Sequence, residues 1–185
     1  MNPIAVAMSG GVDSSTAVWL LQQAGYDPVG FTMSLFAPDA LPPAQREQCH
    51  TAQDVADAQA VARRLSIPHH VLDLSAPFRQ QVMDAFAQAY EQGQTPNPCV
   101  LCNRAIKFGA LLQAAQETGC PLLATGHYAQ VEQDQGSGRY LLKKAVHPDK
   151  DQSYVLWTLT QDQLSAVRFP LGKLSKDEIR SIALE

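Results

Sequence analysis

The chain has 185 residues, about the size of one globular domain, and its 45% hydrophobic and 17% charged residues are ordinary for a packed core. With 11 Gly and 12 Pro it is neither low-complexity nor collagen-like. A formal charge of −4 excludes a generally basic nucleic-acid coat and leaves room for a local basic patch.

Ile4–Met8 predicts a short buried strand, followed by a glycine loop. Ala17, Leu20, Leu21 and Ala24 then recur at helical spacing, and Gly25 stops that helix. Val29, Phe31, Met33 and Leu35 alternate in a second strand over Pro28–Phe36. Pro38, Pro42 and Pro43 break the chain into a loop. Val55, Ala58, Ala62 and Leu65 mark a second helix, His69–Leu74 a third strand, and Phe78, Val82, Phe86 and Ala89 a third helix. Thr95-Pro96-Asn97-Pro98 is expected to be non-helical, because proline restricts itself and its predecessor. A fourth helix is expected from about Asn103 to Glu117, and a fourth strand over Pro121–Thr125.

Alternating strands and helices predict an α/β fold, an open parallel sheet with helices on both faces. After Gly126 the texture changes. Tyr128–Glu132 and Arg139–Ala145 flank Gly136-Ser137-Gly138 as a hairpin, and Thr160-x-x-Gln163 and Ser175-x-x-Glu178 read as capping boxes. The expected division is a nucleotide domain over 1–160 and the start of a helical segment over 161–185. The final helix is still periodic at Leu184, so the chain is expected to be the front part of a longer protein.

Ser9-Gly10-Gly11-Val12-Asp13-Ser14 lies between the first strand and the first helix. Helix N-termini present unpaired N–H groups to anions, and paired glycines let the backbone turn toward one. A Walker A loop is excluded, since no Lys or Arg precedes Arg46, and G-x-G-x-x-G is absent. Asp13 is a candidate for a role near a metal ion, and helix capping explains it equally well.

The second signal is Thr95-Pro-Asn-Pro-Cys99-Val-Leu-Cys102-Asn-Arg104. With Cys102 at or near a helix start and beside Arg104, a reactive thiolate is expected. C-x-x-C is also half a zinc site or a redox pair, but neither a second half nor a suitable preceding strand is present. Cys49 and Cys120 carry no motif and are expected to be structural. No apolar run approaches the roughly 18 residues of a membrane span. Met1-Asn2-Pro3-Ile4 lacks the basic segment of a secretory leader, so a cytoplasmic protein without membrane attachment is expected.

The glycine loop resembles the PP-loop of ATP pyrophosphatases. That loop, the cysteine segment with Ile106-Lys107-Phe108, Ala124-Thr-Gly-His-Tyr128 and Lys150-Asp-Gln-Ser-Tyr154 together resemble the tRNA-specific 2-thiouridylase family, in the same order and from Val6 nearly to the chain end. The resemblance implies ATP-dependent adenylation of the C2 oxygen of the tRNA wobble uridine, then replacement of AMP by sulfur to give 2-thiouridine. It implies ATP and Mg²⁺, with a cysteine desulfurase or sulfur relay protein as donor.

By motif, ATP would meet Ala7, Met8, Ser9, Gly10, Gly11, Val12, Asp13, Ser14, Met33 and Gly126. The target base would meet Asn97, Pro98 and Cys99, and Lys150, Asp151 and Gln152 would touch tRNA. Cys102 matches the first catalytic cysteine. Some family members carry an acidic residue at the position of Cys99; the type with Cys there is associated with an iron–sulfur cluster, for which Cys99 and Cys102 would be two ligands. The persulfide-bearing cysteine would lie beyond residue 185. Two alternatives remain: another PP-loop ligase or amidotransferase, or an ATP- and tRNA-binding fragment without turnover.

Overall fold

The computed structural model describes residues 2–36 and 52–184. Cys49 and the proline loop at 38–43 lie outside them. The strands are β1 (Pro3–Ala7), β2 (Asp27–Ser34), β3 (His69–Asp73), β4 (Leu122–Ala124), β5 (Ala129–Gln133), β6 (Tyr140–Lys144) and β7 (Val167–Arg168). The helices are α1 (Val12–Gln23) and α2 (Ala52–Arg64), then two long helical runs. The first run, α3, comprises Ser75–Phe78, a π-helical Arg79–Met83 and Asp84–Glu91. The second, α4, comprises Pro98–Leu101, a π-helical Cys102–Leu111 and Leu112–Glu117. Finally come α5 (Gln161–Ala166) and α6 (Lys176–Ala183).

Five parallel strands form one sheet in the order β3-β2-β1-β4-β7, and β5 and β6 form the expected antiparallel hairpin. Ile4, Ala5 and Val6 are fully buried, because helices cover both faces of β1. Side chains alternate across the sheet. Ala5, Phe31 and Leu123 join Phe108 and Leu111 of α4 on one face, while Ile4, Val6 and Ala124 join Val18, Leu21, Ala58 and Ala62 on the other. Each large apolar side chain so buried stabilises by roughly 1.5–3 kcal/mol.

β7 hydrogen-bonds to β4 as a fifth strand, and fully buried Ile179 of α6 joins the core formed with α1. Two expectations need correction. First, α4 begins at Pro98, five residues before the expected Asn103. Proline suits the first helical position, where its missing N–H is not needed, and Asn97 caps by accepting the Cys99 N–H at 3.0 Å. Second, this puts Cys102 in the second turn rather than at the helix start.

Strand order positions the site. From β1 the chain moves outward to β2 and β3, then crosses back to place β4 on the other side of β1. In such sheets a crevice opens at the carboxyl ends of the two strands where the order reverses. Here those ends are Ala7–Ser9 and Thr125–His127.

Candidate adenylation site

Gly11 is the N-cap of α1 and no side chain accepts a hydrogen bond there, so the first-turn N–H groups remain available to an anion. Ser14 holds the turn: its Oγ accepts from the Ser9 N–H at 3.2 Å and donates to the Gly11 carbonyl at 3.0 Å. Gly10 has φ of +75°, and a Cβ there would stand 2.7 Å from Cβ of Asp57 and 3.0 Å from the backbone N of Ala58. Only glycine fits without moving α2. Gly126 meets the same turn from β4: a Cβ there would lie 3.1 Å from the Ser14 nitrogen.

Asp13 is the second residue of α1 and does not cap it. Its Oδ1 accepts from the Tyr128 hydroxyl at 3.0 Å and pairs with the Lys176 ammonium, tying the loop to α6. Burial first, then the Asp13 carboxylate, push the Tyr128 hydroxyl far up, so it stays a donor at neutral pH.

A cavity of about 240 Å³ occupies the crevice. Of the expected nucleotide residues, Ala7, Met8, Ser9, Asp13, Ser14, Met33 and Gly126 line it. Gly10 and Gly11 line an adjoining cavity of about 790 Å³, and Val12 lines neither. The larger cavity reaches Pro98, Cys99 and Cys102, so the glycine loop and the cysteine segment open onto one cleft. Ser9, Lys107, His127 and Gln152 line both cavities.

Gln152 accepts the Tyr128 N–H at 3.0 Å through Oε1, and Asp151 accepts from the Ala145 N–H and the Ser153 hydroxyl, each at 2.7 Å. Both therefore pin the segment. Lys150 is exposed, and Asn97, Lys150 and Asp151 line neither cavity. Tyr154, 64% exposed, stands at the larger cavity.

The expected low-pKa thiolate at Cys102 is not what the geometry produces. Burial pushes the thiol up; Lys107 pulls it partly back, and Cys99 adds to the rise. Arg104 plays no part in this balance. Among the described residues no group of three His, Cys, Asp or Glu could hold a metal ion, so Cys99 and Cys102 stand as two thiols without a third ligand. His127 is buried against Phe108 and Phe169, and its Nδ1 lies 2.6 Å from the Thr125 hydroxyl. Burial, then Lys107, lower its pKa to about 3, so it is neutral at physiological pH.

Lys107 is the residue whose place sequence spacing missed. In an α-helix residues five apart diverge by about 140°. The π-helical stretch closes i onto i+5 and brings Cys102 and Lys107 to one face. The buried Asn103 lines the same cavity; it donates through Nδ2 to the Val155 carbonyl at 3.3 Å, and its Oδ1 has no partner among the described residues.

An open parallel sheet, with an uncapped glycine turn at its reversal point, defines a Rossmann-like α/β fold. The expected fold class is the observed one. The chain belongs to the family described as tRNA methyl transferase HUP domain, whose model matches residues 2–185. A curated relative from Trichlorobacter lovleyi, named tRNA-specific 2-thiouridylase MnmA, is 51% identical over 99% of this chain and 49% of its own length. Another, MnmA 2 of Thermoanaerobacter sp. (strain X514), is 48% identical over 100% of this chain and 51% of its own. The chain thus spans about half the length of these relatives. A 4-thiouridine synthetase, solved as an RNA complex with bound ATP, shares the fold at TM-score 0.56 and 19% identity, over 99% of this chain and 40% of its own. Among the described residues no helix is long and apolar enough to cross a membrane.

Proposed function

We propose that this chain forms the adenylation part of a cytoplasmic tRNA-uridine 2-sulfurtransferase. The observation that carries the reading is the single cleft joining the uncapped turn at Gly11 to Cys102. ATP lies with its phosphates at Ser9–Ser14 and its nucleoside toward Met33 and Gly126. The wobble uracil enters past Asn97, Pro98 and Cys99, with Lys150 available to a tRNA phosphate.

The uracil O2 forms a bond to the α-phosphorus, and the phosphorus–oxygen bond to pyrophosphate breaks with its electron pair. The uracil N3 proton leaves to water. Sulfur then attacks C2, the C2–O bond breaks, and AMP departs. First-turn N–H groups of α1 hold the charge that gathers on pyrophosphate. Mg²⁺, when bound, would add charge neutralisation on the phosphates; Asp13 is the carboxylate of the loop that would stand beside it. A cysteine desulfurase or relay protein loads a persulfide onto a cysteine beyond this chain. Cys102 attacks its inner sulfur, a disulfide between the two cysteines forms, and the hydrosulfide released is the sulfur that attacks C2, after which an external thiol reduces the disulfide.

The reading is tested with the full-length protein, ATP, Mg²⁺, a persulfide donor and unmodified tRNA, followed by nucleoside mass spectrometry. 2-Thiouridine is expected, and its loss in Cys102→Ser. ATP cleavage that ignores tRNA and serves a small amide acceptor would instead make the chain another PP-loop ligase.

A further inference from the structure

We infer that Lys107 contacts the α-phosphate of the nucleotide and takes up the charge that develops there during adenylation. The inference rests on the function proposed above. In the displacement the α-phosphorus is bonded partly to the uracil oxygen and partly to the departing pyrophosphate. It must therefore lie between the glycine loop and the cysteine segment. The four residues that line both cavities, Ser9, Lys107, His127 and Gln152, mark that junction.

Lys107 is the sole Lys or Arg among the described residues lining either cavity. It is half-buried, and no hydrogen bond or ion pair engages its ammonium among the described residues. A partly desolvated cation with no anion is costly, and an α-phosphate oxygen would relieve that cost. The other three shared residues supply no positive charge: His127 is held neutral by burial, and Ser9 and Gln152 are uncharged. The π-helical winding of α4 aims position 107 along the same face as Cys102. One cation therefore serves the point where the phosphorus and the attacking base meet.

The test compares AMP, whose one phosphate is the α-phosphate, with adenosine, which has none, by equilibrium dialysis on the full-length protein. Lys107→Met should lose roughly ten- to a hundredfold in AMP affinity, the weight of one charge-assisted hydrogen bond. Adenosine binding should stay within about twofold, which also shows that the variant is folded. Lys107→Arg should keep most of the AMP affinity. tRNA-dependent pyrophosphate release by Lys107→Met should fall by about 10²–10³. A Lys107→Met protein that binds AMP as wild type does would overturn the assignment of Lys107 alone. A wild-type protein that neither prefers AMP to adenosine nor releases pyrophosphate with tRNA would overturn the proposed function, and this assignment with it.

Discussion

Gly10 and Gly25 form a matched pair for testing how the glycine loop is held. Both sit in the left-handed region, at φ of +75° and +80°. A methyl group added at Gly25 meets nothing within 4 Å, so Gly25→Ala should cost only the conformational penalty, about 1–2 kcal/mol. At Gly10 the same methyl would stand 2.7 Å from Cβ of Asp57, 3.0 Å from the Ala58 nitrogen and 3.1 Å from the Asp54 carbonyl oxygen. These are helix backbone and a Cβ, which cannot rotate away. Gly10→Ala should therefore add an overpacking cost of about 1–3 kcal/mol, for a total of about 2–5 kcal/mol. Urea denaturation of the two variants reads the difference as a shift in midpoint at constant slope. ATP dialysis should show weakened binding for Gly10→Ala alone. Equal destabilisation by the two substitutions would refute the claim that α2 confines the loop.

Three further predictions follow from the electrostatics. The unfolded chain protonates His127 near pH 6.5, whereas the folded chain resists until about pH 3. Stability should thus be unaffected above pH 6.5 and fall as pH drops toward 3, by about 2 kcal/mol at pH 5. His127→Gln should flatten that slope in pH-dependent unfolding. Burial holds Cys102 as a thiol, so iodoacetamide at pH 7 should label exposed Cys99 well before Cys102, as followed by peptide mass spectrometry. The Asp13–Lys176 pair is about one-third exposed, and a double-mutant cycle with Asp13→Asn and Lys176→Met should give a coupling of about 1 kcal/mol. No coupling would mean that α6 does not hold the loop.

The sheet was legible wherever hydrophobic periodicity ran long enough. β1 to β4, the helices between them and the hairpin all lie within a few residues of their expected places. Gly25 ended α1 where expected. β7 was missed because two residues, Val167 and Arg168, carry no period. The start of α4 was misplaced because Pro98 was read as a breaker where it is the first helical residue. At the site, the glycine loop and the cysteines were legible as local strings. Contacts between distant segments were not: Lys176 meets Asp13 across 163 residues of sequence. Lys107 reaches the cleft only through a π-helical winding that no α-helical spacing describes. The expected activation of Cys102 failed for the same reason. Its depth in the helix and its burial are set by packing, and both differ from what a Cys near a helix start would have.

The most direct measurement withholds sulfur. Full-length protein is incubated with ATP, Mg²⁺ and unmodified tRNA, without a persulfide donor, and the tRNA is digested and weighed. An adenylyl group on the wobble uridine, formed with release of pyrophosphate and diminished in Lys107→Met, is the predicted result. A tRNA that never carries AMP, while the same protein binds ATP and cleaves it elsewhere, would contradict the assignment of this cleft to tRNA adenylation.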